Sequence, residues 1–307
     1  MPDPIVGLNG AVDPLLAARL DRSAERVRRH VASPHRAEPL GLRLARAKAP
    51  TPTVYVRYPP CLSIVLSGRK RSVDDDSAEQ EWGRDHFLIT PVDLPLMARV
   101  VELGDQGDFL SVNWHLDPAV VAEVASQMPR PRHEAAPGRL GAMTPALAYA
   151  VDRLLGLLDA PEEAAVLAPL LSREIVLRLL QTDQAARLLH AAHHADADVV
   201  GAAVRRLDAA LAHPWTAEGL AASVGASEAT LRRRFRELTG LSPMSYLKRL
   251  RLGEARRRML VAGETASRAS AGVGYLSPSH FSRDYRAAYG RSPAADTAEL
   301  RARMRAS

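Results

Sequence analysis

Two stretches in the last third of this 307-residue chain follow one plan, and that repetition constrains the fold more than any other feature. In the first stretch, Thr216 precedes a short helical pattern carrying Leu220 and Ala221, and the chain turns at Val224-Gly225-Ala226. Ser227 then opens a second helical pattern with Leu231, Phe235 and Leu238 at inward spacing. In the second stretch, Thr265 precedes Ala266, Ala269 and Ala271, and the turn is Gly272-Val273-Gly274-Tyr275. Ser277-Pro278 opens the next helix, with Phe281, Tyr285 and Tyr289 inward. Ser and Thr at these positions can accept a hydrogen bond from an otherwise orphaned N–H of the first turn, and proline in that turn has no N–H to lose. The copies close alike, on Thr239-Gly240-Leu241-Ser242-Pro243 and on Tyr289-Gly290-Arg291-Ser292-Pro293. Phe235 and Tyr285 are 50 residues apart, which leaves room for one long helix, Met244 to Leu260, between the copies.

Two short helices joined by a tight glycine-containing turn make a helix-turn-helix, here over about residues 216–237 and again over about 265–287. With Leu231, Phe235 and Leu238 turned inward, Arg232, Arg233, Arg234 and Arg236 leave several guanidiniums facing out. The second copy offers Ser279, Ser282, Arg283 and Arg286 outward. From such a helix, side chains reach base edges in a major groove, and arginine is the commonest bidentate partner of guanine. Two reading helices on one spacer suit successive major grooves about 34 Å apart, without a second subunit.

The charge follows the same division. The chain carries +6, yet residues 196–307 hold 19 of the 41 Lys and Arg and 11 of the 35 Asp and Glu, or +8, and the remainder is −2. Lys248 is the only lysine in that basic module. A basic module on a near-neutral body points to a polyanion partner, although solvated helix faces in an arginine-rich chain would give the same arithmetic.

The body is of another class. A helical pattern runs from Pro14 to Arg29, and from Leu40 to His115 the chain breaks into short apolar, β-branched runs. These are Leu42–Ala45, Thr53–Tyr58, Cys61–Ser67, Lys70–Val73, His86–Thr90, Met97–Glu102 and Phe109–Leu116. Runs spaced by roughly ten residues imply a small sandwich or barrel. Helical periodicity returns after Asp117, with helices expected over Met143–Leu158 and Glu162–Leu180. Residues 183–198, rich in Ala, His and Asp, read as a frayed helix end or linker. The fold expected is therefore α+β: residues 1–195 with strands over about 40–116 and helices over about 117–192, then an all-α module over 196–307.

At these residues the chain resembles the AraC/XylS family of bacterial transcriptional regulators. The resemblance is carried by Leu220-Ala221-Ala222-Ser223-Val224-Gly225-Ala226-Ser227, by Leu231-Arg232-Arg233-Arg234-Phe235, by Gly240-Leu241-Ser242-Pro243, and by the run from Gly274 to Arg283. Tyr275, Tyr285 and Tyr289 stand where phenylalanine is usual in the family, and Ser267 to Ser270 are smaller and more polar than its usual helix. The second copy is accordingly expected to hold DNA less rigidly. The body resembles the cupin-like N-terminal domain of one branch of that family, through the run from Pro59 to Lys70, Val92-Asp93-Leu94-Pro95 and His115-Leu116-Asp117-Pro118. The resemblance implies a sensing or dimerising domain, and it carries base reading onto Ala229, Arg232 and Arg233 in one groove and Ser279, Ser282 and Arg283 in the next. Ser227, Thr230, Arg236 and His280 complete the expected DNA-binding set. The implied partners are double-stranded promoter or operator DNA, a small-molecule effector, a second copy of the chain, and RNA polymerase if the protein activates.

Within the barrel, Tyr58, Ser63, Val65, His86, Arg99 and Trp114 are candidate effector contacts, since aromatic walls with a few polar groups make a ligand site. A barrel filled by its own side chains is the competing reading, in which the body only assembles dimers. A cupin-type enzyme fused to a DNA module is a third, and its metal would need two histidines one residue apart. No His-x-His occurs between Leu40 and Leu116, where His86 and His115 stand alone, so no metal, cofactor or catalytic residue is assigned. His190, His193 and His194 read as a solvated helix end, and Asp74, Asp75 and Asp76 as a hairpin tip. Cys61, the lone cysteine, reads as a buried small hydrophobe, with a redox or electrophile-sensing role as its alternative. One cysteine, no signal-like leader and no apolar run approaching 18 residues lead us to expect a cytoplasmic protein that does not span a membrane.

Overall fold

The computed structural model describes residues 14–73, 79–128, 139–193 and 199–306. Asp74, Asp75, Asp76 and His194 lie outside them, as do the side chains of His190 and His193. Helix α1 (Pro14–His30) and a short α2 (Pro34–Ala37) lead into eight strands. These are β1 (Leu42–Ala47), β2 (Val54–Tyr58), β3 (Cys61–Ser67), β4 (Arg69–Val73), β5 (Glu79–Trp82), β6 (His86–Thr90), β7 (Leu94–Glu102) and β8 (Phe109–His115). Helix α3 (Pro118–Ser126), strand β9 (Leu140–Ala142) and helices α4 (Pro145–Gly156), α5 (Ala164–Leu180) and α6 (Ala185–His193) complete the first part. All pairings are antiparallel, in two sheets of order β1-β8-β3-β6-β9 and β2-β7-β4-β5.

Both faces of the five-stranded sheet are covered, so the first six residues of β3 are all buried. Leu62, Ile64 and Leu66 of β3, with Leu110, Val112 and Trp114 of β8, pack against α1 and the helices after β8. Their neighbours Cys61 and Val65, with Leu88 and Phe109, face Tyr58, Trp82, Leu94, Leu96 and Val100 of the other strands, and this second face is the barrel interior. Such two-sided burial erases the apolar-polar alternation that marks a half-exposed strand.

Two strands escaped the sequence pattern. In β5, Glu79 and Glu81 point outward to Arg71 and Arg69 while Trp82 is buried inside, so a strand is held by cross-strand ion pairs where propensity argues against it. Three-residue β9 is too short to show a period. The segment expected to fray is in part a packed helix: α6 buries Ala185 and Leu188.

The second part begins with α7 (Val199–Ala209), followed by α8 (Ala217–Ser223), α9 (Glu228–Thr239), α10 (Pro243–Val261), α11 (Ala266–Gly272), α12 (Pro278–Tyr289) and α13 (Pro293–Ala306). Helix α10 packs on α7 and α9 at one end and on α11 and α13 at the other, and also meets β2 and β7 of the first part. Among the described residues, no helix is long and apolar enough to cross a membrane.

Candidate nucleic-acid interface

Each reading helix is fixed at its start and along its buried side. Thr216 Oγ1 accepts from Gly219 N at 2.9 Å to begin α8. Gly225, with φ +69°, turns the chain, and Ser227 Oγ accepts from Thr230 N at 3.2 Å to begin α9. The Ser227 hydroxyl also donates to Thr230 Oγ1, so these two residues serve the cap. Leu231, Phe235 and Leu238 are fully buried, and the Phe235 ring meets Tyr246 of α10 edge-on at 5.3 Å. Fixing that side leaves Ala229, Arg232, Arg233 and Arg236 exposed on the other. Arg233 donates to Glu237 one turn on at 2.9 Å, whereas Arg232 and Arg236 have no ion-pair partner among the described residues.

The second copy repeats the construction with different chemistry inside. Thr265 and Ser277 cap α11 and α12 through Arg268 N and His280 N. Phe281, Tyr285 and Tyr289 form a buried ladder of rings with centroids 5.4 and 4.4 Å apart. The tyrosines bring hydroxyls into this core, and two of them are used. Tyr285 donates to Asp296 Oδ2 at 2.7 Å, and Tyr275 donates to Asp284 at 3.2 Å. Burial, reinforced by the adjacent carboxylate, pushes both phenols well above their usual range. Asp296 is gripped in turn by the Arg256 fork, Nε and Nη2 both at 2.8 Å, and Arg256 lies over the Tyr289 ring. The small residues of α11 are an asset here, since Ala269 and Ser270 are buried against α10. Ser279, His280, Ser282, Arg283 and Arg286 are exposed.

The sequence did not single out Arg187 of α6. It donates to the carbonyls of Glu237 and Leu238, at 3.2 and 3.3 Å, and so engages the last turn of α9 from the first part of the chain. A cation at a helix C-terminus complements the orphan carbonyls there.

The six candidate effector residues do not share one chamber. Strand parity puts Tyr58, Ser63 and Val65 in the barrel interior, but Trp114 pairs with Leu62 and packs with it on the helix side. Arg99 lies on the outer face of β7, 3.7 Å from Glu79, and His86 is half-buried beside Asp85 at the start of β6. What the interior holds instead is Lys70, whose ammonium donates to the Tyr58 hydroxyl, and three buried polar atoms without a partner among the described residues: Ser63 Oγ, Trp82 Nε1 and Asn113 Oδ1. Cys61 also faces inward, its Sγ 3.2 Å from Thr90 Oγ1, and burial pushes its thiol up to about 11. Among the described residues, no three His, Cys, Asp or Glu side chains cluster to hold a metal.

Residues 40–187 match the family model described as the AraC-type transcriptional regulator N-terminus, and residues 220–298 match a helix-turn-helix domain model. The HTH-type transcriptional activator RhaS of Pectobacterium atrosepticum is 36% identical over 75 residues, 24% of this chain and 27% of that protein. RhaS of Pectobacterium carotovorum is 38% identical over 64 residues, 21% and 23% of the two chains. The chain thus spans about a quarter of the length of these curated relatives. ToxT of Vibrio cholerae, in a crystal structure with bound unsaturated fatty acid, superposes with a TM-score of 0.51 at 10% identity over 82% of this chain and 92% of that one, a likeness of fold.

Proposed function

The chain belongs to the AraC/XylS family of bacterial transcriptional regulators, and on that premise we propose that it binds promoter or operator DNA sequence-specifically under the control of a small molecule. The observation that carries the reading is the pair of capped helices α9 and α12, each locked by buried rings and each turning an arginine-bearing face to solvent. We assign base reading to Ala229, Arg232 and Arg233 in one major groove and to Ser279, Ser282 and Arg283 in the next. Ser227, Thr230, Arg236 and His280 sit beside them at the level of the backbone phosphates. Arginine supplies both the salt-dependent affinity and the bidentate recognition of guanine, while Ala229 offers only a methyl contact. Residues 1–195 act as sensor and 196–307 as reader.

Control by a small molecule is supported by the unpartnered Ser63, Trp82 and Asn113 atoms around Lys70, because buried polar atoms left without partners are rare. ToxT, which resembles this chain in fold, holds an unsaturated fatty acid, and that supports the reading. Assembly of two copies is favoured by Val166 and Leu170, four residues apart on α5 and both exposed.

Selection of bound duplexes from a random pool by the full chain, followed by footprinting, tests the DNA reading. Two protected patches one helical turn apart on one face are expected. Binding that is indifferent to sequence, or a single short patch, would overturn it.

A further inference from the structure

The two helix-turn-helix units differ by one residue in the turn. Gly225 and Ala226 lie between Val224, which closes α8, and Ser227, which caps α9. Gly274, Tyr275 and Leu276 lie between Val273, which closes α11, and Ser277, which caps α12. The backbone identifies the extra residue. Ala226 N donates to Ala221 O and Tyr275 N to Ser270 O, both at 3.0 Å and both five residues back. Tyr275 therefore answers to Ala226, and Leu276 has no counterpart in the first unit.

Leu276 takes no part in the packing of its own unit. An apolar residue just before a helix cap commonly staples itself onto the fourth helical residue. In the first unit Ala226 packs against the buried cluster that holds Leu231. In α12 the fourth residue is Phe281, and Tyr275 already occupies it, with ring centroids 5.2 Å apart. Leu276 is left 99% exposed, the most exposed large apolar side chain among the described residues. A single exposed leucine is ordinary on a protein surface, but this one is held out by fixed neighbours. Tyr275 is tied to Phe281 and, through its hydroxyl, to Asp284, while Ser277 caps α12 through His280 N.

The position decides what can cover it. Leu276, Ser277, Pro278, Ser279 and His280 are all exposed and run on to Ser282 and Arg283. The N-terminal end of such a helix is the part that meets base edges. The first turn of α9 holds Glu228, whereas the first turn of α12 holds no acidic residue, and no arginine precedes Arg283. A leucine has nothing to offer a phosphate. The apolar group that a major groove presents is the C5-methyl of thymine.

We propose that Leu276 covers a thymine methyl beside the bases read by α12, and so specifies an A·T pair there. The proposal rests on the DNA reading above and divides its chemistry between the units: arginine on guanine from α9, an apolar side chain on thymine from α12.

The duplex selected by the full chain supplies the test. It is remade with deoxyuridine, which lacks only the methyl, in place of one thymidine at a time across both protected patches. At one position wild-type binding should weaken by about fourfold, the factor for one methyl left in water. Leu276→Ala should weaken binding to the thymidine duplex by about fourfold or more and bind the deoxyuridine duplex no worse than that, whereas Leu276→Met should keep the dependence. Leu276→Ala should melt with the wild type, because the side chain has no packing to lose. Arg233→Ala should weaken binding to both duplexes and leave their ratio unchanged, since it belongs to the other unit. Wild-type indifference to every deoxyuridine, or a methyl dependence that survives in Leu276→Ala, would overturn the proposal and leave sequence-selective binding standing. So would a change in the sedimentation of the DNA-free chain on Leu276→Ala, which would show the leucine covered by a second copy. Binding indifferent to sequence altogether would overturn both readings.

Discussion

Gly274, in the turn of the second helix-turn-helix, backs onto Ala212 of the turn after α7, so closely that a Cβ on Gly274 would lie 2.6 Å from the Ala212 carbonyl oxygen. Arg251 of α10 binds the same turn, donating to Leu211 O at 2.9 Å and His213 O at 2.7 Å. The two reading units are thereby held to one another through backbone as well as through the spacer helix.

The corresponding glycine of the first copy, Gly225, also has positive φ, but a Cβ there would meet nothing within 4 Å. Gly225→Ala should thus cost only the left-handed backbone penalty, about 1 to 2 kcal/mol. Gly274→Ala adds a backbone collision and should cost at least about 1 kcal/mol more. Denaturant unfolding of both variants checks this; equal losses would mean that the Gly274–Ala212 approach carries no load.

For Arg233 to read a base it must leave Glu237. Arg233→Ala should weaken specific binding by about 1 to 3 kcal/mol and relax preference at one base pair. Glu237→Gln should do the reverse, raising affinity by about twofold, since an exposed pair at this spacing holds the arginine by about 0.3 to 0.5 kcal/mol. Mobility shifts on cognate and scrambled duplexes measure both, and an unchanged cognate-to-scrambled ratio for Arg233→Ala would remove Arg233 from the readout.

The buried Arg256–Asp296 pair holds the second unit together, with side chains 6% and 7% exposed. Asp296→Ala leaves the guanidinium uncompensated and strips Tyr285 of its acceptor, so a loss of about 3 to 5 kcal/mol is expected. Replacing both charges, as in Arg256→Met with Asp296→Leu, should recover most of it. A double variant as unstable as Asp296→Ala would show that the pair's geometry, not charge balance, is what matters.

Asp108 is buried between Arg28 and Arg46. Desolvation alone would raise its carboxyl, but the hydrogen bonds and charge of Arg28, with Arg46, outweigh it and hold the group below the ordinary carboxylate range. Its stabilisation is therefore complete above the unfolded value of about 3.9 and is lost as pH falls through the lower folded value. Thermal melts between about pH 5 and 2 should show Asp108→Asn flattening the acid limb of the wild-type curve. Parallel curves would assign that limb to other carboxylates.

The reader was legible because its pattern is one-sided: Leu231, Phe235 and Leu238 face in and arginines face out, a contrast that the period of a helix exposes directly. The barrel was legible as strands but not as an inside and an outside. Trp114 and Val65 are both buried, one against the helices and one in the chamber, and nothing in an all-apolar strand tells the two faces apart. Long-range partners were out of reach for the same reason that Arg187 was: its role exists only once α6 lies beside α9.

Helix α10 is shared property. Met97 of β7 is buried with Leu252, Ala255 and Met259, Tyr246 donates to Asp93 O, and Arg256 donates to Thr53 O. A reader cut from its sensor would carry a bare socket where Met97 had been, and would tend to be sticky and poorly soluble. Grafting residues 196–307 onto a foreign N-terminal domain would succeed only if the replacement brought its own plug for that socket.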